Sequence, residues 1–263
     1  MVKLGRIFFA IPLGVFGIQY LVYGQWRGGL PPVPPWTAGG HIFAYVTGVV
    51  LLALSVSLLG KKEARFSATL LGLLFLLCTV FLHAQKFSGI IHDGVTRTRA
   101  FEAFALAGAA FVLAALVAKE SASIQVLSSG NPILAVIGRY IFAFSMVIFG
   151  IQHFLYAPFI ASLIPSWMPA HLFLAYATGT AFIAAGLSIA THILSRLASA
   201  LLGVMFLLWF LLLHTPRVMA HPRNGDELTS AFVALAFSGA SFLLAAYCSK
   251  SRWTRAFPWS LCG

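Results

Sequence analysis

The sequence predicts an all-α integral membrane protein with eight transmembrane helices, arranged as two four-helix bundles that are parallel repeats. Its composition and its eight apolar runs carry this prediction. Of the 263 residues, 60% are hydrophobic and only 9% are charged, and the mean hydropathy is +0.93. Soluble domains contain roughly 45–50% apolar and about 25% charged residues, so this chain lacks the polar residues to cover itself in water. Water-soluble and disordered classes are excluded.

Each apolar run is long enough to cross the ~30 Å hydrocarbon core of a bilayer as a helix. Turn-forming residues, mostly Gly, Pro, Asn and Ser, separate the runs. The runs cover residues 5–23, 41–59, 66–86, 99–118, 133–155, 170–190, 194–214 and 228–248.

The last four runs repeat the first four, and we call the residues that correspond between the two halves counterparts. At an offset of 133 residues, Gly5, Arg6, Phe16, Gly17 and Gln19 recur as Gly138, Arg139, Phe149, Gly150 and Gln152. A cleaved signal peptide, the alternative for the first run, is disfavoured because that run has a counterpart in mid-chain. At an offset of 131, the matches include Trp36/Trp167, Tyr45/Tyr176, Gly48/Gly179, Gly72/Gly203, His83/His214, Thr98/Thr229 and Gly108/Gly239.

Each repeat has four helices, an even number, so both repeats enter the membrane in the same direction and are parallel rather than inverted. Small residues such as Gly48, Gly72 and Gly108, with their counterparts, are expected to let helices approach closely within each bundle. The predicted organisation is a first unit at 1–120, a cytoplasmic linker at 121–132, a second unit at 133–250 and a cytoplasmic tail at 251–263.

The basic residues predict the orientation. The net charge is +11, but the cations are dispersed at the ends of the apolar runs and form no stripe interleaved with aromatic residues. Nucleic-acid binding is therefore not supported. Eleven of the 17 Lys and Arg residues fall on the side of the two termini, so the positive-inside rule places both termini in the cytoplasm.

Polar residues inside the apolar runs mark the candidate site, because such residues are costly in a bilayer. At ~1.5 Å of helix rise per residue, they fall near the outer end of each bundle. The prediction is a ligand-binding pocket in each half, with a His at its floor, Gln and Tyr as hydrogen-bond donors, and a Trp as its cover. The candidate residues are His83, Gln19, Tyr45, Trp36 and Glu102 in the first half, and His214, Gln152, His153, Tyr176, Trp167, Arg217 and Glu227 in the second.

A structural interpretation accounts for the same residues. Trp, Tyr and Arg are common at membrane interfaces, and a Gln can bridge two helices through a hydrogen bond to a His. Neither acidic candidate has an acidic counterpart in the other half, so a duplicated acid–base mechanism is not supported. Ion pairing is the simpler role: Glu102 with Arg99 or Lys86, and Glu227 with Arg217 or Arg223.

The sequence contains no secure cofactor motif. A b-heme held by His153 and His214 is not favoured, because the first half has Tyr20 in place of His153. The other histidines lack a recognised metal-ligand spacing, and the three cysteines form no spaced pair. No hydrolase, nucleotide-binding or metalloprotease signature is present, so neither a metal nor an autonomous catalytic motif is predicted.

Several motifs resemble the DoxX/DoxD-like integral membrane family. They are Gly138-Arg139, Phe149-Gly150-Ile151-Gln152-His153, the IPSWMP segment at 164–169 and Ala175-Tyr176-Ala177-Thr178-Gly179, with a first-half copy at residues 5–19. The resemblance covers nearly the whole chain as two family-length units, whereas the family is typified by single four-helix proteins. It implies a bacterial or archaeal inner-membrane protein, sometimes a quinone-linked subunit of thiosulfate:quinone oxidoreductase.

Two hypotheses for function follow. The first is a quinone- or isoprenoid-binding subunit of a membrane redox complex, in which a partner protein supplies the electrons. The second is a non-enzymatic scaffold or accessory subunit that packs against a larger complex and against membrane lipids. A transporter is disfavoured, because the repeats are not inverted and no ionisable residue lies near the predicted bilayer midplane.

Overall fold

The computed structural model describes residues 1–24, 40–60, 63–80, 93–121 and 132–250. Within these ranges the regular structure is entirely helical. The helices are α1 (Val2–Tyr23), α2 (Gly40–Leu59), α3 (Ala64–Cys78), α4 (Gly94–Ser121), α5 (Pro132–Leu155), α6 (Ala157–Leu163), α7 (His171–Thr191), α8 (Ser195–Trp209), α9 (Thr215–Ala220) and α10 (Gly225–Lys250).

Seven helical segments are long and apolar enough to cross a membrane, which confirms the prediction of a multi-pass helical protein. One of them is composite: α8 continues through a π-helical turn, Phe210–His214, into α9, and the whole segment runs from Ser195 to Ala220. The predicted run at 66–86 is represented by α3, an apolar helix of 15 residues. Residues 81–92 lie outside the described ranges, so the eighth span stays a prediction.

Helices α4 and α10 lie at the centre of the packing. Helix α4 packs against α3, α5 and α10, while α10 packs against α1, α4 and α8. Most of the membrane-spanning length of both helices is buried inside the protein. Beyond the charged residues near their ends, both are largely apolar on all sides, as expected for helices with neighbours on every side.

The two halves exchange helices through glycine contacts. A Cβ atom on Gly5 of α1 would lie 2.9 Å from the carbonyl oxygen of Gly239 on α10. The counterpart contact joins α5 to α4, where a Cβ on Gly108 would lie 2.4 Å from the carbonyl oxygen of Gly138. The first helix of each half therefore packs on the last helix of the other half.

This exchange differs from the predicted arrangement of two self-contained bundles. The backbones of α1 and α4 do not approach each other as closely, nor do those of α5 and α10, which meet through aromatic side chains. Gly108 was expected to bring helices together within its own half, but it contacts Gly138 of the other half. Gly48 does act within its half, because a Cβ there would lie 2.9 Å from the carbonyl oxygen of Gly17. The physical reason is that small residues permit close approach without specifying which helix approaches.

The short turn between α7 and α8 contacts a buried arginine. The turn lies on the side of the protein at which α1 begins, which we call the N-terminal face. Arg139 of α5, only 2% exposed, donates through Nη1 to the carbonyl oxygen of Ile189, at 3.2 Å, and to Nε2 of His192. His192 adopts a left-handed backbone, with φ of 64°. The cation thus caps the C-terminal end of α7, where the helix dipole favours positive charge.

We expect this turn to make stability dependent on pH. Burial, and then the Arg139 charge, hold the pKa of His192 below its ordinary value. The unfolded chain therefore binds the proton more readily, so the stabilisation is complete above the ordinary His pKa of ~6.5 and is lost as the pH falls below it. His192→Asn removes the titrating group, offers an amide oxygen as acceptor in place of Nε2 and tolerates the left-handed backbone.

Melting temperatures in detergent from neutral to mildly acidic pH check this expectation. The His192→Asn variant should lose less stability on acidification than the wild-type chain does. A variant at the exposed His221 is the control, and it should keep the wild-type pH dependence. An unchanged acid dependence in His192→Asn would contradict the assignment.

Candidate functional site

The predicted site residues that the structure describes lie near the end of the protein at which α4 and α10 begin, which we call the opposite face. Gln19 of α1 donates through Nε2 to the carbonyl oxygen of Gly225, at 3.2 Å. Its Oε1 accepts a hydrogen bond of 3.3 Å from the hydroxyl of Thr229. The side-chain amide therefore joins α1 to the first turns of α10.

Gln152 makes the counterpart contacts in the other half. Its Nε2 donates to the carbonyl oxygen of Gly94, at 3.1 Å, and lies 3.1 Å from the hydroxyl of Thr98. This glutamine is buried, and it joins α5 to the first turns of α4. Both glutamines thus bind the N-terminal turns of a helix from the other half, where the sequence had predicted donors to a ligand.

A pair of counterpart glycines beside these glutamines predicts opposite effects of the same substitution. In Gly94→Ala the new Cβ would lie 2.9 Å from a ring carbon of Tyr156, and such overpacking costs about 1–3 kcal/mol. In Gly225→Ala the nearest atom is a ring carbon of Tyr23, at 3.8 Å. Because alanine favours a helix over glycine, Gly225→Ala should be neutral or slightly stabilising. Melting temperatures in detergent of the two single variants check this contrast, which equal shifts would contradict.

Tyr156 forms a second polar contact between the halves. Arg97 of α4 donates through Nη2 to the Tyr156 hydroxyl, at 2.8 Å. The guanidinium carbon of Arg97 also lies 5.6 Å from the Tyr156 ring centroid. Asp93 caps the same helix, because its carboxylate accepts from the backbone N–H of Thr96 at 2.8 Å. The hydrogen bonds from Thr96 hold the pKa of Asp93 below its ordinary value.

His153 is packed among aromatic rings. Its ring stacks on Trp209, with centroids 6.1 Å apart and an angle of 19°, and meets Phe182 edge to face at 5.1 Å. Its Nδ1 lies 2.8 Å from the carbonyl oxygen of Phe149. The imidazole therefore stands between α5, α7 and α8, one residue from Gln152.

Among the candidate residues that the structure describes, His214 has a hydrogen-bonding atom without a partner. It is the last residue of the π-helical turn Phe210–His214, and its Nδ1 is buried without a hydrogen-bond partner among the described residues. Buried polar atoms are nearly always paired, so an unpaired one calls for an explanation. Single π-helical turns inside α-helices often mark functional sites.

An ion pair lies beside His214. Arg217 donates through Nη2 to Oε1 of Glu227, at 2.6 Å, which is the pairing expected for this glutamate. Both charges are close enough to act electrostatically on His214. The group combines an imidazole, a guanidinium and a carboxylate at the point where the composite α8–α9 segment meets the start of α10.

Glu102 differs from Glu227. It lies in α4, eight residues beyond Gly94, and is partly buried. In the described part of the chain its carboxylate has no ion pair within 4 Å, although Arg99 is close enough to act on it electrostatically. The expected pairing with Arg99 is thus present only as a longer-range interaction, and the alternative partner, Lys86, lies outside the described residues.

The remaining candidates are exposed or fall outside the described residues. Tyr45, Tyr176 and Trp167 are exposed, Trp167 to 63%. Tyr176 packs on Phe154, with ring centroids 5.5 Å apart. Such positions are typical of aromatic side chains in a membrane interface. His83 and Trp36 lie outside the described residues.

Sequence reasoning did not select several residues that build this region. Trp209 was missed because its counterpart is Cys78, so the repeat gave it no emphasis. Thr98 and Thr229 are counterparts and both contact a glutamine, but threonine is common in membrane helices. Their joint recurrence with Gln19 and Gln152 was the available signal.

In the part of the chain that the structure describes, no three His, Cys, Asp or Glu side chains are grouped as a metal site would require. No family model matches the chain, and no significant match was found among curated proteins or solved structures.

Proposed function

We propose that this multi-pass membrane protein is a DoxX/DoxD-like protein that binds the headgroup of an isoprenoid quinone near His214, in association with a membrane redox complex. In this proposal the two four-helix repeats run parallel, the N-terminal face is cytoplasmic and the membrane is the inner membrane of a bacterium or archaeon. Quinone reduction would require electrons from a partner protein, because the sequence has no redox cofactor motif.

The observation that carries the proposal is Nδ1 of His214, which is buried and has no hydrogen-bond partner among the described residues. A quinone presents two carbonyl oxygens that accept hydrogen bonds, together with a flat apolar ring. The Nδ1 atom, in the tautomer that carries its proton, donates to one such oxygen, and Arg217 supplies a second donor nearby. Trp209 lies one π-helical turn before His214 and offers an aromatic surface for the ring.

A direct binding titration tests the proposal. Detergent-purified full-length chain is titrated with a short-chain benzoquinone and a short-chain naphthoquinone, with binding followed by quenching of tryptophan fluorescence. We expect His214→Ala to weaken binding by about tenfold, the effect of losing one hydrogen bond worth ~1.4 kcal/mol. The control is His221→Ala, seven residues further along and exposed, which should bind as the wild type does.

Equal affinity of His214→Ala and wild type would reject the role of His214. Organic extraction of the purified protein, followed by mass spectrometry, provides an independent measurement. Quinone in stoichiometric amount supports the proposal, whereas the absence of binding in both measurements rejects it.

The contacts of Gln19 and Gln152 favour one second candidate, a scaffold or accessory subunit. Both amides are engaged between helices of the two halves, so they stabilise the helix packing rather than await a ligand. On this reading their replacement lowers the melting temperature without changing ligand binding. Comparison of Gln152→Leu with His214→Ala in the same quinone titration separates the two candidate functions. Weaker binding in His214→Ala alone favours the quinone-binding protein, whereas no effect of either variant on binding favours the scaffold.

A further inference from the structure

Two counterpart arginines have different surroundings at the N-terminal face. Arg6 of α1 and Arg139 of α5 are related by the offset of 133, and each follows a glycine that contacts a helix of the other half. The fold thus places a guanidinium twice in corresponding positions. The two guanidinium groups differ in the hydrogen-bond acceptors around them, and this difference indicates what Arg6 lacks.

Arg139 has acceptors within the protein. As described above, it donates to the carbonyl oxygen of Ile189 and to His192, and its guanidinium lies over the ring of Tyr140 at 4.4 Å. It is almost completely buried. The end of α7 and the α7–α8 turn in the second half therefore supply hydrogen-bond acceptors for Nη1 of Arg139.

Arg6 has no such acceptors among the described residues. It is only partly buried. Its Nε, like that of Arg139, is shielded from solvent without a hydrogen-bond partner among the described residues. The two arginines differ in that Arg139 also has acceptors at Nη1. The ion pair that the structure describes, between Arg217 and Glu227, involves neither Arg6 nor Arg139. Arg6 therefore presents a partly desolvated cation at the edge of the membrane-spanning helices.

The sequence explains why the first half lacks the histidine acceptor that Arg139 has in the second half. The counterpart of His192 is Lys61. A neutral imidazole nitrogen accepts a hydrogen bond from a guanidinium, whereas a lysine ammonium has donors only. The substitution replaces an acceptor by a second cation, so this position does not offer Arg6 the acceptor that His192 offers Arg139.

We infer that Arg6 binds the phosphate group of an anionic phospholipid headgroup at the N-terminal face. A guanidinium suits this ligand, because its planar donors match phosphate oxygens in a bidentate arrangement. The location suits it as well, since Arg6 follows the fourth helical residue of α1, near the end of a helix long and apolar enough to span a membrane, and headgroups lie at the ends of such helices. Anionic lipids also attract basic segments near the membrane surface.

Lipid titration of the full-length chain tests the inference. Protein in a neutral detergent is titrated with short-chain phosphatidylglycerol, short-chain phosphatidylcholine or inorganic phosphate, and the melting temperature is measured. Phosphatidylglycerol should stabilise the wild type more than phosphatidylcholine does. Arg6→Gln should weaken this response by about tenfold in lipid concentration, as expected for a lost charge-assisted contact. Arg6→Lys, which keeps the charge but not the fork, should weaken it less.

Arg65→Gln is the matched control, because Arg65 is an exposed basic residue in the first turn of α3. It should respond to phosphatidylglycerol as the wild type does. An equal loss in both variants, or an unchanged response in Arg6→Gln, overturns the inference. If inorganic phosphate reproduces the stabilisation, and Arg6→Gln removes it, the source is free phosphate and the lipid assignment is overturned. The site is at the face opposite His214, so failure here leaves the quinone titration unaffected.

Discussion

Gly108→Leu is expected to prevent the chain from folding. A side chain at this position meets the carbonyl oxygen of Gly138 only 2.4 Å from its Cβ, before any further carbon is added. That oxygen belongs to the backbone of α5, so rotation of a side chain cannot relieve the overlap. Helices α4 and α5 would have to separate, and α4 is also packed against α3 and α10. The clash therefore spreads through the centre of the protein.

The measurement is fluorescence-detected size-exclusion chromatography of detergent-extracted protein. Gly108→Leu should appear as aggregate, with little or no monodisperse peak. The control is Gly60→Leu, because Gly60 is exposed at the end of α2 and its nearest non-neighbour atom, 3.3 Å from a Cβ, is a carbonyl oxygen of the preceding turn. If Gly108→Leu eluted and melted like the wild type, the close approach of α4 and α5 would be wrong.

The repeat identified these glycines but not their neighbours. Periodicity and offset mark Gly5, Gly108 and their counterparts as positions where a small residue recurs. Periodicity and offset do not indicate which helix each glycine faces. The same positions would carry small residues whether each four-helix unit packed by itself or the two units exchanged helices. The partner of α1 is decided by packing between elements far apart in sequence, so it had to come from the structure.

For the candidate site, as for the glycines, the sequence predicted the positions of the residues but not their partners. The cost of polar groups in a bilayer selected Gln152, His153, His214 and the Arg217–Glu227 pair, and these do lie toward one end of the helices. The free-energy cost of a polar group in the bilayer does not indicate whether that group pairs with the protein or with a ligand. Gln152 is paired with α4, whereas Nδ1 of His214 is unpaired among the described residues, although sequence reasoning treated the two residues alike.

Phe237→Ala should cause the largest loss of stability among side-chain truncations in the second half. Phe237 of α10 is 2% exposed, and its ring contacts those of Phe142, Phe149 and Phe206 at centroid distances of 6.1, 5.8 and 5.0 Å. These rings belong to α5 and α8, so one side chain joins three helices. Its counterpart is Leu106, also fully buried.

The expected cost follows from the cavity that the substitution leaves. Phe→Ala in a core costs about 3–5 kcal/mol, part of which is transfer of the ring from water. In a membrane the transfer part is small, because lipid is as apolar as the core. The loss of packing remains, so we expect about 3 kcal/mol. Unfolding in mixed micelles with increasing denaturing detergent measures this value. Phe173→Ala, at a 68% exposed phenylalanine, is the control and should change stability little. Equal losses in the two variants would mean that stability does not depend on the aromatic packing between α5, α8 and α10.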